Sequence, residues 1–178
     1  MMDLPNKSVL IADDSAFIRS LVRKLLHSFG VGEILEADNG KSALTLIQQA
    51  KPHLLIADWE MGPIDGLQLV RFLRRSPHSP DPFIPIIVMT GFPSRERVLA
   101  ARDSGANEFL VKPIAPSALA SRLNALLAKP QPFIKGQQYF GPDRRRHDPA
   151  WNGNERREQE TPAILPPAAK AEEDMTGS

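Results

Sequence analysis

The sequence predicts an α/β protein built on a doubly wound, five-stranded parallel sheet with five helices on its two faces. Brief apolar runs bounded by turn residues alternate with longer amphipathic stretches through residues 1–128. The order is strand then helix throughout, and a parallel crossover needs a connection of helix size. The runs Val9 to Ala12, Ile34 to Ala37, Leu54 to Ala57, Ile86 to Met89 and Phe109 to Val111 read as buried strands.

Between them, Ala16 to Phe29, Lys41 to Ala50, Leu67 to Arg75, Ser94 to Ser104 and Ser117 to Ala128 carry apolar residues at three-and-four spacing. The clearest stripe is Phe17, Leu21, Val22, Leu25, Leu26 and Phe29, and Leu67, Leu69, Val70 and Leu73 are expected core positions of the third helix. Ser15 and Ser94 suit helix N-caps. Gly30 and Gly105 stand where a helix end calls for a left-handed residue.

Composition narrows the function. With 178 residues, the chain suits one compact domain plus a tail. Lysine and arginine number 22 against 21 acids, so no global field favours nucleic acid or an anionic membrane. Cysteine is absent, which excludes disulfides, thiolate metal sites and cysteine nucleophiles. No stretch has the uninterrupted apolar length of a membrane span and the N-terminus does not read as a signal peptide, so a cytoplasmic protein is expected.

In an open parallel sheet, ligands bind beyond the carboxyl ends of the strands. The first predicted strand ends in Asp13-Asp14, the third in Asp58, the fourth in Thr90 and the fifth in Lys112. Three adjacent carboxylates call for a divalent cation, and an oxygen-only donor set favours Mg²⁺. A magnesium beside a spare carboxylate, a hydroxyl and an ammonium suits phosphoryl transfer, with Asp58 as the nucleophile. Each aspartate alone could equally be a turn or cap residue; the five residues at four strand ends argue for a site.

The motifs VLIADDSAFIRSLV, LLIADWEMGPIDGLQLV, IIVMTGF and FLVKPI resemble the receiver domain of bacterial two-component response regulators, in order and spacing, over about residues 7–128. The resemblance implies a flavodoxin-like, CheY-like fold in a phosphorelay protein. It implies that Asp58 accepts a phosphoryl group from a histidine kinase or phosphotransfer protein, so that the protein is not an enzyme beyond catalysing its own phosphorylation and dephosphorylation. Asp14 directly, Asp13 through water, Asp58, and the backbone carbonyl of Glu60 would hold Mg²⁺. Lys112 and Thr90 would bind the phosphoryl oxygens, Phe109 would turn inward with Thr90, and the Lys112-Pro113 bond would be cis. Two departures stand out. Gly62-Pro63 moves the usual proline by one position, and Phe109 lacks the hydroxyl a tyrosine switch has.

Other readings fail on order or spacing. Aspartate-nucleophile phosphatases place their nucleophile on the first strand, the reverse of the order here. Gly30-Val31-Gly32 follows a helix and lacks the third glycine of a dinucleotide loop, and no P-loop occurs. His27, His53, His78 and His147 show no ligand spacing.

Residues 129–178 hold 7 of the 17 prolines and little periodicity, so a receiver over 1–128 and a mostly disordered tail are expected. No DNA-binding domain is expected in so short a segment. Output is then expected through phosphorylation-dependent protein contact on the fourth helix, fifth strand and fifth helix. The tail is basic and then acidic. Its Arg144, Arg145 and Arg146, after Tyr139 and Phe140, suggest the alternative of a cyclic-dinucleotide or nucleic-acid binding module with phosphorylation secondary.

Overall fold

The computed structural model describes residues 4–128, 131–136, 139–143 and 163–164. Five strands form one parallel sheet: β1 (Ser8–Ala12), β2 (Glu33–Ala37), β3 (Leu54–Asp58), β4 (Ile86–Thr90) and β5 (Glu108–Val111), in the order β2-β1-β3-β4-β5. Five helices connect or follow them: α1 (Ala16–Ser28), α2 (Gly40–Ala50), α3 (Gly66–Arg75), α4 (Arg95–Ser104) and α5 (Pro116–Ala128). Each of these ten elements begins and ends within one residue of its expected bounds.

Period-two alternation along the strands sorts the core into two layers. Val9, Ile11, Leu54, Ile56, Ile87 and Met89 pack with Val22 and Leu26 of α1 and with Leu119, Leu123 and Leu126 of α5. Leu10, Ala12, Leu55, Ala57, Ile86 and Val88 face the other way, onto Ala43 and Ile47 of α2 and Leu69, Val70 and Leu73 of α3. The central strands are therefore apolar on both faces, as a sheet covered twice requires.

Local chemistry sets the helix ends. The hydroxyls of Ser15 and Ser94 accept from the amides of Ile18 and Arg97, as the sequence suggested. Asn39 and Asp65 cap α2 and α3 in reciprocal capping boxes. Gly105 ends α4 with φ +101°, and Gly30 follows α1 with φ +84°. The Lys112-Pro113 bond is cis, as the resemblance implied, and Gly62-Pro63 is cis as well.

One expectation needs correction. Phe17 is 75% exposed, whereas the rest of its stripe is buried or half-buried. It lies in the first turn of α1, just past the end of β1. The segment after residue 128 is structured where it is described. Strands β6 (Phe133–Lys135) and β7 (Phe140–Pro142) pair antiparallel, and β8 (Ala163–Ile164) pairs antiparallel with β6.

Phe133 is 1% exposed. Its ring lies 5.2 Å from that of Phe83 and 5.5 Å from that of Phe140, with Phe83 and Phe140 5.3 Å apart. The Arg74 guanidinium stands 5.0 Å over the Phe133 ring and donates to the carbonyls of Gly105, Pro82 and Ile84 and to the Asn107 side chain at 2.8 to 2.9 Å. Asn107 in turn donates to Gln131 at 2.8 Å. Residues 131–136 and 139–143 thus close over the ends of α3 and α4 opposite the acidic edge of the sheet. The tail arginines Arg144, Arg145 and Arg146 lie outside the described residues.

Candidate phosphoryl-acceptor site

Parallel pairing carries Asp13-Asp14, Asp58, Thr90 and Lys112 to one edge of the sheet, at the carboxyl ends of β1, β3, β4 and β5. The ladder continues past the strands: Asp13 N–H donates to the carbonyl of Ala37 at 3.2 Å and Lys112 N–H to that of Thr90 at 2.7 Å. These bonds fix the backbones from which the charged side chains project.

Asp13 is fully buried and has two roles. Its Oδ1 accepts from the amide of Ser15 at 2.8 Å, while Oδ2 accepts from Lys112 Nζ at 2.9 Å. The turn role weighed for it is therefore real, and the charge is used as well. Lys112 Nζ also meets Asp58 Oδ1 at 2.8 Å, so one ammonium bridges two carboxylates. Oxygens of Asp13, Asp14 and Asp58 lie within 4.8 Å of one another, with Asp14 exposed and the other two buried. Three oxygen donors, one open to solvent, fit a hard divalent cation that keeps some of its water.

The electrostatics show strain between like charges. Burial pushes the Asp58 carboxyl above the usual aspartate range; the Lys112 hydrogen bond opposes this, and the charges of Asp13 and Asp14 reinforce it. Burial works against the Lys112 ammonium too, but its hydrogen bonds to Asp13 and Asp58, with their charges, hold it above the ordinary lysine value. The Lys112 ammonium is thus favoured, while burial and the neighbouring acids oppose a charge on Asp58, an opposition that a bound cation would relieve.

The loop after Asp58 is tied at both ends. Trp59 N–H donates to Met89 O at 2.8 Å, and Gly66 N–H donates to Trp59 O at 2.9 Å. A Cβ on Gly66 would come to 2.1 Å from the Asp58 carbonyl oxygen, so only glycine fits there. The Glu60 carboxylate points away to Arg97 Nη1 at 2.9 Å. Thr90 is wholly buried, its hydroxyl accepting from Phe92 N–H at 3.2 Å and Arg97 Nη1 at 3.3 Å. Phe109 is half-buried against the α2/α3 layer of the core.

Sequence reasoning passed over Arg97. Its partner Glu60 is 37 residues away, and neither helical periodicity nor a motif singles it out.

The profile of the response regulator receiver domain matches residues 9–124. The chain belongs to that family. It is 35% identical over 126 residues to the phosphate regulon transcriptional regulatory protein PhoB of Pseudomonas aeruginosa, which covers 71% of this chain and 54% of PhoB. The chain thus matches about half the length of that relative. It is 27% identical over 124 residues to the chemotaxis protein CheY-3 of Vibrio cholerae, covering 70% of this chain and 94% of CheY-3. Among solved structures, Vibrio cholerae CheY4 superposes with a TM-score of 0.62 at 33% identity, over 68% of this chain and 98% of that one. The Francisella response regulator 1452 receiver domain gives 0.63 at 29%, over 69% and 98%.

The CheY-like fold and membership in two-component signalling follow. Receiver domains are signalling modules that work with histidine kinases or phosphotransfer proteins, and they typically bind Mg²⁺ at an acidic pocket such as this one. Among the described residues, no helix is long and apolar enough to cross a membrane.

Proposed function

We propose that this receiver accepts a phosphoryl group on Asp58 and signals through a phosphorylation-dependent protein contact. The observation that carries the reading is the Lys112 ammonium held between Asp13 and Asp58, with Asp14 beside them. In the transfer, an Asp58 carboxylate oxygen attacks phosphorus. The phosphorus–nitrogen bond of a phosphohistidine breaks, and its electron pair leaves with the imidazole. Lys112 remains protonated and offsets charge on the phosphoryl oxygens, as positioning and neutralisation dominate such transfers.

Asp13, Asp14, Asp58 and the Glu60 carbonyl are the groups that would hold Mg²⁺. When bound, the cation neutralises charge on carboxylates and phosphoryl oxygens. Thr90 then turns its hydroxyl toward a phosphoryl oxygen and vacates space beside β5, into which Phe109 can rotate. Burying a phenylalanine is worth about 1.5 to 3 kcal/mol, comparable to the gap between two such states, so packing alone can drive a switch that has no tyrosine hydroxyl. The surface of α4, β5 and α5 is the face proposed to meet a downstream protein, in the cytoplasm.

Acetyl phosphate with Mg²⁺ should give acid-labile labelling of the full chain and none of Asp58→Asn. Undiminished labelling of that variant overturns the mechanism. Thr90→Ala should still take up label while losing most of the phosphate-dependent partner binding.

A further inference from the structure

One cation on α4 gathers contacts from three segments around the site. Arg97 Nη1 donates to Glu60 Oε1 at 2.9 Å and to Thr90 Oγ1 at 3.3 Å. The guanidinium carbon lies 5.0 Å from the Trp59 ring centroid and 5.4 Å from that of Phe92. Two aromatic faces and a carboxylate therefore fix a side chain that would otherwise be mobile.

Hydroxyl valence makes this contact matter. A threonine hydroxyl has two lone pairs and one proton. Both acceptor positions of Thr90 are engaged, by Phe92 N–H and by Arg97, and the side chain is wholly buried. Any rotation of that hydroxyl toward the acceptor aspartate must break the Arg97 bond. The guanidinium cannot follow without giving up Glu60 and the two rings.

We propose that Arg97 is a positioning residue that latches the Thr90 hydroxyl in its resting orientation, coupling α4 to the acceptor site. The inference rests on the switch described under the proposed function. The latch opposes switching, so its removal favours the turned-in state. One hydrogen bond to a charged donor, partly open to water, shifts such an equilibrium by a factor of about 3 to 10.

Removing Arg97 alone would leave the Glu60 charge uncompensated beside three aspartates. The decisive variant is therefore the charge-balanced pair Arg97→Ala with Glu60→Gln in the full chain. In the parent, beryllium fluoride with Mg²⁺, a non-covalent phosphoryl mimic, should displace the Thr90 methyl resonance. In the pair variant without mimic, that resonance should already lie part-way along the same path, and labelling by acetyl phosphate should be about 3 to 10 times faster. In a Thr90→Ala background the same pair should change the labelling rate by less than about twofold, because the bond it acts through is gone. Arg97→Lys, which keeps the charge but not the planar fork, should give a smaller rise of the same sign.

An unmoved methyl resonance, or a rate increase that survives Thr90→Ala, overturns the latch while leaving phosphorylation of Asp58 intact. A parent whose Thr90 ignores the mimic and whose Asp58 takes no label overturns the proposed function first, and the latch with it.

Discussion

The two ends of the sheet each hold a cation, half-buried at one end and buried at the other, and they use it in opposite ways. At the carboxyl edge, Lys112 is shared between Asp13 and Asp58, and the carboxylates around it repel one another. At the other end, Arg74 is 3% exposed and spends its donors on the carbonyls of Pro82, Ile84 and Gly105 and the amide oxygen of Asn107. The first arrangement is left wanting a ligand. The second is complete in itself, binding the ends of α3 and α4 to the loop before β4 and to the segment after α5. The difference shows how a receiver can hold an unsettled site: order at one end secures the frame on which the other end stays reactive.

Substitutions at the two ends should therefore separate stability from phosphorylation. The largest stability loss is expected from Phe133→Ala, which empties a fully buried aromatic site between Phe83, Phe140 and Arg74. It should cost about 3 to 5 kcal/mol in urea unfolding and leave Asp58 labelling unchanged below the melting transition. Arg74→Met keeps the volume but abandons buried carbonyl acceptors, and should cost about 2 to 4 kcal/mol with the same preserved labelling. If either substitution proves silent, the strands after residue 128 are ornamental and a chain ending there is sufficient.

At the acidic edge the signs reverse. Asp14→Ala should weaken Mg²⁺ binding by at least about tenfold in a fluorescence titration of Trp59, and Asp13→Ala by less, with little loss of stability. Equal binding by both variants and the parent would reduce these acids to turn residues. The smallest effect is a gain. Because the Asp58 pKa is raised on folding, ionising it costs stability at neutral pH, and that cost vanishes as pH falls below the unfolded value and the group protonates. Asp58→Asn should thus melt a few degrees above the parent at neutral pH, with the advantage disappearing in acid and shrinking when Mg²⁺ is added.

What was legible in the sequence follows the same division. The strands and the acidic edge could be read because parallel pairing turns a local fact, the residue after each apolar run, into a spatial one: Asp58, Thr90 and Lys112 come to one edge of the sheet without any knowledge of side-chain contacts. The opposite end could not be read this way. Phe133-Ile134-Lys135 is a short run among prolines, and its partners Phe83 and Arg74 are 50 and 59 residues away, so nothing local distinguishes it from a solvated tail. Arg97 escaped for a similar reason, since a surface arginine shows its purpose only through the loop it reaches. Phe17 misled because helical spacing gives a direction but not how far the sheet extends beneath it.

The seating of Gly105 has a mechanical consequence. A Cβ there would stand 2.8 Å from the Arg74 side chain and 3.0 Å from the Phe140 carbonyl oxygen, and Gly141 packs against its Cα, so the last turn of α4 is wedged under β7. The first turn, by contrast, follows a run from Gly91 to Glu96 in which every residue is exposed. A rod wedged at its last turn and tethered at its first only through the Arg97 side chain moves by tilting. Arg97 stands eight residues before Gly105, an arm of about 12 Å at about 1.5 Å per residue, so a displacement of about 1 Å at Arg97 becomes a tilt of about 5° about a fulcrum at Gly105. The seating of β7 against Gly105 would thereby convert a shift beside the aspartates into a rotation of the outer face of α4.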